Sequence, residues 1–551
     1  MGTSAKDAVA TYLDLYGASD SSLAWLLCDR YACDQVAYRI IDADLSTTEV
    51  TYGSLRDRSE RFARALFLLG VEPGDRVATL MSKREEYLVT LLAIWRLGAV
   101  HVPLFTAFAP PAIASRLRRS GAKVVVTEIG QRQKLAGPDD NWGGITVTTS
   151  DGDAEAQPSA DIDFDDCVRD QTVGFEAAVL GGKAPLIHTF TSGTTGEPKG
   201  VVVPTRALAS FRVYAEYAIG LQHDDLYWNA ADPGWAYGLF FGVLGSLLTG
   251  VPSVLARPGF SAPFTWSVLS ALPITNFAAA PTVYRSLRAW HEPSKGSVSL
   301  RCASSAGEPL TPEVNEWAPS ALGTRVYDHY GQTETGMLIN NHHHAELEGD
   351  IVAQSMGIVM PGWDGEVLLR DADIPAPVGT VGRIAMRLAR SPLAWFDGYD
   401  GEAEKSREKL STDGLWYLTG DVGKRDEAGY FFFSCRDDDV IITAGYRIGS
   451  FEIESIIANH PAVAECAVIA VPDEIRGEVI EAYVTLRAGQ YPAGELTEQL
   501  QDLVRSQYGS HAYPRAVHVV DELPKTPSGK MQRFVLRARR RAELAGQAAK
   551  P

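Results

Sequence analysis

The chain has 551 residues, with 51 basic against 69 acidic side chains and a net charge of −18. That length is too great for one core and suggests three or four folding units at ~150 residues each. The acidic balance argues against a nucleic-acid partner, because phosphate-tracking proteins usually present a basic surface. Hydrophobic residues at 45% and charged residues at 22% are those of a globular protein, not a fibrous or disordered one.

In chain order, the N-terminus lacks a signal-peptide pattern. Residues 50–105 read as strand, helix, strand, helix, strand. Asp75–Met81 forms one strand, Tyr87–Leu97 has helical spacing closed by Gly98, and Val100–Leu104 forms the next strand. Residues 220–256 repeat the theme through a helix, Gly250 and a second strand. Within them the apolar run Leu239–Leu255 is interrupted by Gly242, Gly245, Gly250 and Pro252. It falls short of the ~20 residues that span a bilayer, so it reads as buried helix and strand, with no membrane anchor. These passages predict a doubly wound α/β core. From about residue 357 to 430, short alternating segments with Gly and Pro turns predict a β-rich subdomain. The acidic step Asp437-Asp438-Asp439 marks the expected boundary between an N-terminal domain, 1–437, and a C-terminal α+β domain, 438–551. The basic stretch Arg533–Arg541 reads as a solvated helix. The six cysteines are scattered without a C-x-x-C pair, which predicts reduced thiols and a cytoplasmic setting.

Five segments carry chemistry. The first ends a strand-like run and places hydroxyls at Thr191, Ser192, Thr194 and Thr195 among Gly193 and Gly196, followed by Lys199. Backbone N–H groups in such a loop can cradle an anion, although the pattern is not a Walker A loop. The second is Tyr327-Asp-His-Tyr-Gly-Gln-Thr-Glu-Thr-Gly336, where Glu334 suits Mg²⁺, which takes a carboxylate plus substrate phosphate oxygens. In the third, Trp416–Asp421, a terminal carboxylate has the reach for two ribose hydroxyls. The fourth runs from Ser434 to Gly449, and the fifth, Leu523–Arg533, carries Lys530 on a short loop. The cluster His342-His343-His344 reads as a solvated loop, since three adjacent histidines on extended chain cannot all point one way.

In this order and spacing the five segments resemble the adenylate-forming superfamily, and most closely the acetyl-CoA and medium-chain acyl-CoA synthetases. Asp232-Pro-Gly-Trp-Ala-Tyr-Gly238, Ala280–Arg285 and Gly445-Tyr-Arg-Ile-Gly449 add to the closer likeness. The resemblance implies an ATP-, Mg²⁺- and CoA-dependent ligase that forms acyl-AMP and then a thioester. It implies that Lys530 bridges carboxylate and α-phosphate, that Glu334 holds Mg²⁺, and that Thr191 through Lys199 enclose pyrophosphate. Gly307, Glu308 and Pro309, with Asp328, His329, Tyr330, Gly331, Gln332 and Thr333, would line adenine and ribose. Asp421 would take the ribose hydroxyls, and Arg436 and Arg447 would contact ribose or phosphate. Asp438 maps to a hinge, Ala444, Gly445 and Tyr446 to the thiol tunnel, and Arg476 to the CoA phosphates.

The acetate enzymes resembled carry tryptophan where this chain has Gly331. The expectation is therefore an acid larger than acetate (medium-chain, branched or aryl), with Trp235 and Tyr237 as pocket walls. Three residues depart from the pattern: Val203 replaces histidine, Cys435 a commoner glycine, and Glu481 a frequent lysine. Glu481 keeps open a second reading, in which a carrier-protein pantetheine arm replaces CoA. A catalytically silent nucleotide-binding regulator is a third reading, disfavoured by the presence of Lys530, Glu334, Asp421 and Arg436. A homodimer is also compatible with the resemblance.

Overall fold

The computed structural model describes residues 4–137, 140–149, 161–191, 198–292, 294, 296–443, 446–473, 477–487, 493–509, 512–526 and 530–548. Two large sheets build the N-terminal part. The first has seven strands, of which Arg76–Leu80 is central, with Val100–Pro103 parallel on one side and Val124–Glu128 parallel on the other. The helix Glu85–Leu97 follows the central strand. It is apolar on nearly every side and buried from Tyr87 to Leu97, as an internal helix must be. Gly98 ends it in the left-handed region at φ 80°, donating its N–H to the carbonyls of Ile94 and Trp95. Arg96 is 2% exposed and survives there because Asp29 takes it in two hydrogen bonds of 2.9 and 2.6 Å.

The second sheet has thirteen strands. Val36–Ile41, Ser253–Ala256, Tyr227–Asn229, Asn276–Ala279, Cys302–Ala306 and Val326–Gln332 run parallel, in that spatial order. Four of these are buried along their whole length, as expected of a sheet covered on both faces. Helices Ala262–Ala271, Pro281–Trp290 and Pro312–Leu322 pack on one face. A larger apolar cluster on the other face joins both sheets, taking in Val77, Ile187, Tyr227 and Leu338. The segment Leu239–Leu255 lies here as buried helix, with the strand beginning at Ser253.

Beyond Val326–Gln332 the pairing turns antiparallel and continues through Gly336–Asn340, Ser355–Val359, Phe431–Arg436, Trp416–Arg425, Gly382–Arg387 and Gly365–Leu368. The β-rich texture read from the sequence is thus an extension of the parallel sheet. After the short turn Asp437–Asp439 the chain enters a separate five-stranded sheet, whose long hairpin is Val463–Asp473 with Gly477–Leu486. The C-terminal helix Arg533–Ala548 is not a fully solvated helix. Leu536 is buried, and Arg533 is held between Glu454 at 2.7 Å and Asp439 at 3.6 Å. No helix among the described residues is long and apolar enough to cross a membrane.

Candidate active site

In doubly wound sheets ligands gather at the carboxyl ends of parallel strands. Here Cys302–Ala306 and Val326–Gln332 are neighbours, with Ala306 opposite His329, so Gly307-Glu308-Pro309 and Tyr330–Glu334 emerge side by side. A cavity of about 710 Å³ opens there, and Lys530 reaches it from the loop before the C-terminal helix. The Lys530 ammonium lies 5.7 Å from the Trp235 ring centre. The backbone of Lys530 is fixed by exchange of hydrogen bonds with Thr526, and Lys525 bridges Met531. Burial holds the Lys530 ammonium below the usual lysine range and Arg436 pushes the same way, while Glu334, Glu308 and Asp421 oppose both.

Asp421 and Arg436 sit directly opposite each other on adjacent antiparallel strands, with carboxylate and guanidinium 3.3 Å apart. The other Asp421 oxygen accepts from the Tyr330 hydroxyl at 2.5 Å and from Gln332 Nε2 at 2.8 Å. Gln332 is itself held by the Tyr417 hydroxyl at 2.8 Å. Gln332 and Tyr330 therefore orient the Asp421 carboxylate as well as lining the cavity. Glu308 points its carboxylate at Arg285, 2.8 Å away. Asp328 is buried, the backbone N–H of Leu310 reaches it at 3.4 Å and that of His329 also lowers its carboxyl, but desolvation wins and pushes it up to about 8. Gly307 adopts φ 104°, and a Cβ there would stand 2.8 Å from the Trp235 ring, so glycine serves both the turn and the close approach.

Glu334 is buried and, among the described residues, accepts a hydrogen bond from Tyr399 alone, on Oε1. Its remaining oxygen capacity fits one Mg²⁺ that draws its other ligands from phosphates and water. No cluster of three or more metal-ligating side chains occurs among the described residues. Thr191 and Lys199 face each other across an antiparallel pair, and Lys199 lies 4.8 Å from the Tyr399 ring centre. Ser192, Gly193, Thr194, Thr195 and Gly196 lie outside the described residues, as do Ala444, Gly445 and Arg476. For Tyr446 and Arg447 only the strand Tyr446–Ile448 is described, and for Asp438 only its place in the turn before the C-terminal sheet.

Several expectations change. A Cβ on Gly331 would stand 2.3 Å from the Gly336 carbonyl and 2.6 Å from Met337 Cα. The missing side chain is therefore demanded by the neighbouring strand, and tryptophan does not fit on this backbone. Tyr237 is behind the cavity wall, its hydroxyl 3.2 Å from that of Tyr214, whereas Trp235 and Ala236 form the wall itself. His329 shares the wall, and its nitrogens are engaged by the Tyr214 hydroxyl at 2.7 Å and the Asn341 carbonyl at 2.8 Å. The three histidines are not a solvated loop: His342 is buried, His343 stacks on Tyr327 at 3.7 Å and His344 packs on Tyr217. Tyr399 and Lys409 were missed by sequence reasoning, and no motif marks them; Arg285 ends the segment Ala280–Arg285 but was given no role.

Lys530, Glu334 and Asp421 line one crevice at the carboxyl ends of parallel strands, a setting that suits an enzyme site for a charged ligand. The chain belongs to the AMP-binding enzyme family, which matches residues 28–399, and the AMP-binding enzyme C-terminal domain matches residues 452–530. It is 34% identical to acetyl-coenzyme A synthetase of Bacillus subtilis over 494 residues, covering 89% of this chain and 84% of that one. A Brucella canis acyl-CoA synthetase structure is 42% identical, with TM-score 0.76 and 98% of each chain covered. The structure of the anthranilate CoA ligase AuaEII in complex with anthranoyl-AMP is 27% identical, with TM-score 0.85, covering 96% of this chain and 98% of that one. The protein is accordingly an adenylate-forming carboxylate ligase of the acyl-CoA synthetase type, using ATP, Mg²⁺ and CoA.

Proposed function

We propose that this enzyme converts a carboxylic acid larger than acetate, of medium-chain, branched or aryl type, into its CoA thioester through acyl-AMP. The carrying observation is the convergence of Lys530, Glu334, Asp421 and Arg436 on one cavity, although the first and second are far apart in the chain. A carboxylate oxygen attacks the α-phosphorus and pyrophosphate leaves; the CoA sulfur then attacks the acyl carbon and AMP leaves. In the first step Lys530 offsets charge on the carboxylate and α-phosphate oxygens, and Asp421 fixes the ribose. Mg²⁺ at Glu334 would neutralise phosphate charge. The loop from Thr191 to Lys199 would hold the pyrophosphate. For the second step, the domain 438–551 turns about Asp438, presenting Ala444, Gly445 and Tyr446 to the thiol and Arg476 to CoA phosphate.

The acid-size reading is supported by the small residues Ala236 and Gly307 beside Trp235, and by the likeness to a ligase whose name specifies an aryl acid. CoA is favoured over a carrier arm because Glu481 does not present free negative charge. His518 Nε2 meets its carboxylate at 2.7 Å and Arg540 Nε at 2.8 Å. Burial alone would raise this carboxyl, but those two partners hold it below the usual range. Carboxylate-dependent ATP–pyrophosphate exchange over acids from acetate to decanoate, with aryl acids added, tests the reading. Preference for a six-carbon or aryl acid over acetate is expected; acetate at the top of the series overturns the acid-size claim. Absence of exchange with every acid overturns the whole reading.

A further inference from the structure

Three lysines line the cavity with no carboxylate within 4.0 Å among the described residues: Lys199, Lys409 and Lys530. The cavity's carboxylates are largely committed elsewhere, Asp421 to Arg436, Glu308 to Arg285, Glu465 to Lys525 and Glu454 to Arg533. All three are half-buried, and ammonium groups partly withdrawn from water without a counter-charge are poorly compensated, so such a surplus marks a place where an anion arrives. The proposed function already assigns Lys199 and Lys530. It leaves Lys409 unassigned.

Lys409 Nζ donates to the Thr419 carbonyl at 2.9 Å and lies 5.6 Å from the Tyr417 ring centre. That carbonyl takes one of three ammonium protons and aims the group, leaving two donors. A Cβ on Gly420 would stand 3.7 Å from Lys409 Nζ and 3.9 Å from Arg436 Nη2. The two cations thus converge beside the glycine that precedes Asp421. Burial lowers the Lys409 ammonium from its usual range, and the carboxylates that push back are Glu334 and then Asp421.

We propose that Lys409 is a ligand for the phosphate chain of the bound nucleotide, placed between the Glu334 and Asp421 ends of the site. This rests on the reading that the cavity takes ATP, and adds a contact that none of the five sequence segments supplies. A lysine serves as a point charge on a phosphate oxygen, and the Thr419 tether keeps it from swinging away when the site is empty. Its charge would be felt by ATP and not by an uncharged nucleoside.

The test uses the full chain, Lys409→Met and Lys409→Arg, and calorimetric titration with ATP and with adenosine. Lys409→Met is expected to weaken ATP binding about 10-fold or more, the size of one charge-assisted hydrogen bond, with adenosine binding unchanged. Lys409→Arg is expected to recover most of the ATP affinity. ATP affinity unchanged in Lys409→Met, or ATP and adenosine lost in equal measure, would overturn the proposal and leave Lys409 as a strut for Thr419. Wild-type protein that binds ATP yet gives no carboxylate-dependent exchange would sink the proposed function and not this contact.

Discussion

The Tyr399 hydroxyl donates a 2.6 Å hydrogen bond to Glu334 Oε1 across 65 residues of sequence, while the Tyr399 ring lies beside Lys199. One side chain thus orients the Glu334 carboxylate and backs Lys199. Burial and the adjoining Glu334 both push the Tyr399 phenol up, so it stays a donor at any working pH.

Tyr399→Phe removes that donor and keeps the ring. A hydrogen bond to a charged group contributes ~1.5–3 kcal/mol, so the Mg²⁺ concentration for half-maximal exchange should rise roughly 10-fold or more. Magnesium titration of ATP–pyrophosphate exchange reads it. A Mg²⁺ requirement equal to that of the wild type would show that Glu334 needs no such orientation.

Lys530 acts in the proposed first step as a cation, and its ammonium is held below the ordinary range. The sign follows directly: the group loses its charge earlier as pH rises, so kcat/KM for adenylation should fall on the alkaline side below the usual lysine titration near ~10.4. Lys530→Ala should lower adenylation by roughly 10²-fold, the scale of one lost charge-stabilising donor, and spare thioester formation from supplied acyl-AMP. Acetylation of Lys530, which removes the same charge, should reproduce that split. Equal loss of both half-reactions in Lys530→Ala would refute the assignment.

Asp328 keeps its proton to about pH 8 in the folded protein, whereas an unfolded aspartate releases it near ~3.9. Between those values the native state binds more protons than the unfolded one, so this group's contribution to stability falls as pH rises through that window. Asp328→Asn carries no titrating proton and escapes the penalty. Its melting temperature relative to wild type should therefore climb from about pH 5 to about pH 8.5. A flat difference across that range would mean that Asp328 titrates normally.

Gly331→Ala places a methyl 2.3 Å from the Gly336 carbonyl. Overpacking of this kind typically costs ~1–3 kcal/mol, so thermal unfolding should occur at a clearly lower temperature. Wild-type stability in Gly331→Ala would restore the view that the residue is glycine only to enlarge the acyl pocket.

Legible in the sequence alone were the element order from residue 50 to 105, the buried Leu239–Leu255 segment, the β-rich texture after residue 357, and the residue types of the five chemical segments. These are local properties: periodicity, turn glycines such as Gly98 at φ 80°, and strand-end placement of functional groups follow from a few neighbouring residues. Membership in the adenylate-forming superfamily was legible for the same reason. The fold, not any local segment, sets that Tyr399 grips Glu334, that Gln332 and Tyr330 brace Asp421, and that Lys409 and Arg436 flank Gly420. It also decided that Gly331 is crowded by Gly336, that His343 is a stacking partner of Tyr327, and that the Glu481 charge is answered by His518 and Arg540. Each of those relations joins segments brought together by strand register or helix docking. Long-range pairing sets such contacts, and no short stretch of sequence carries its own partner.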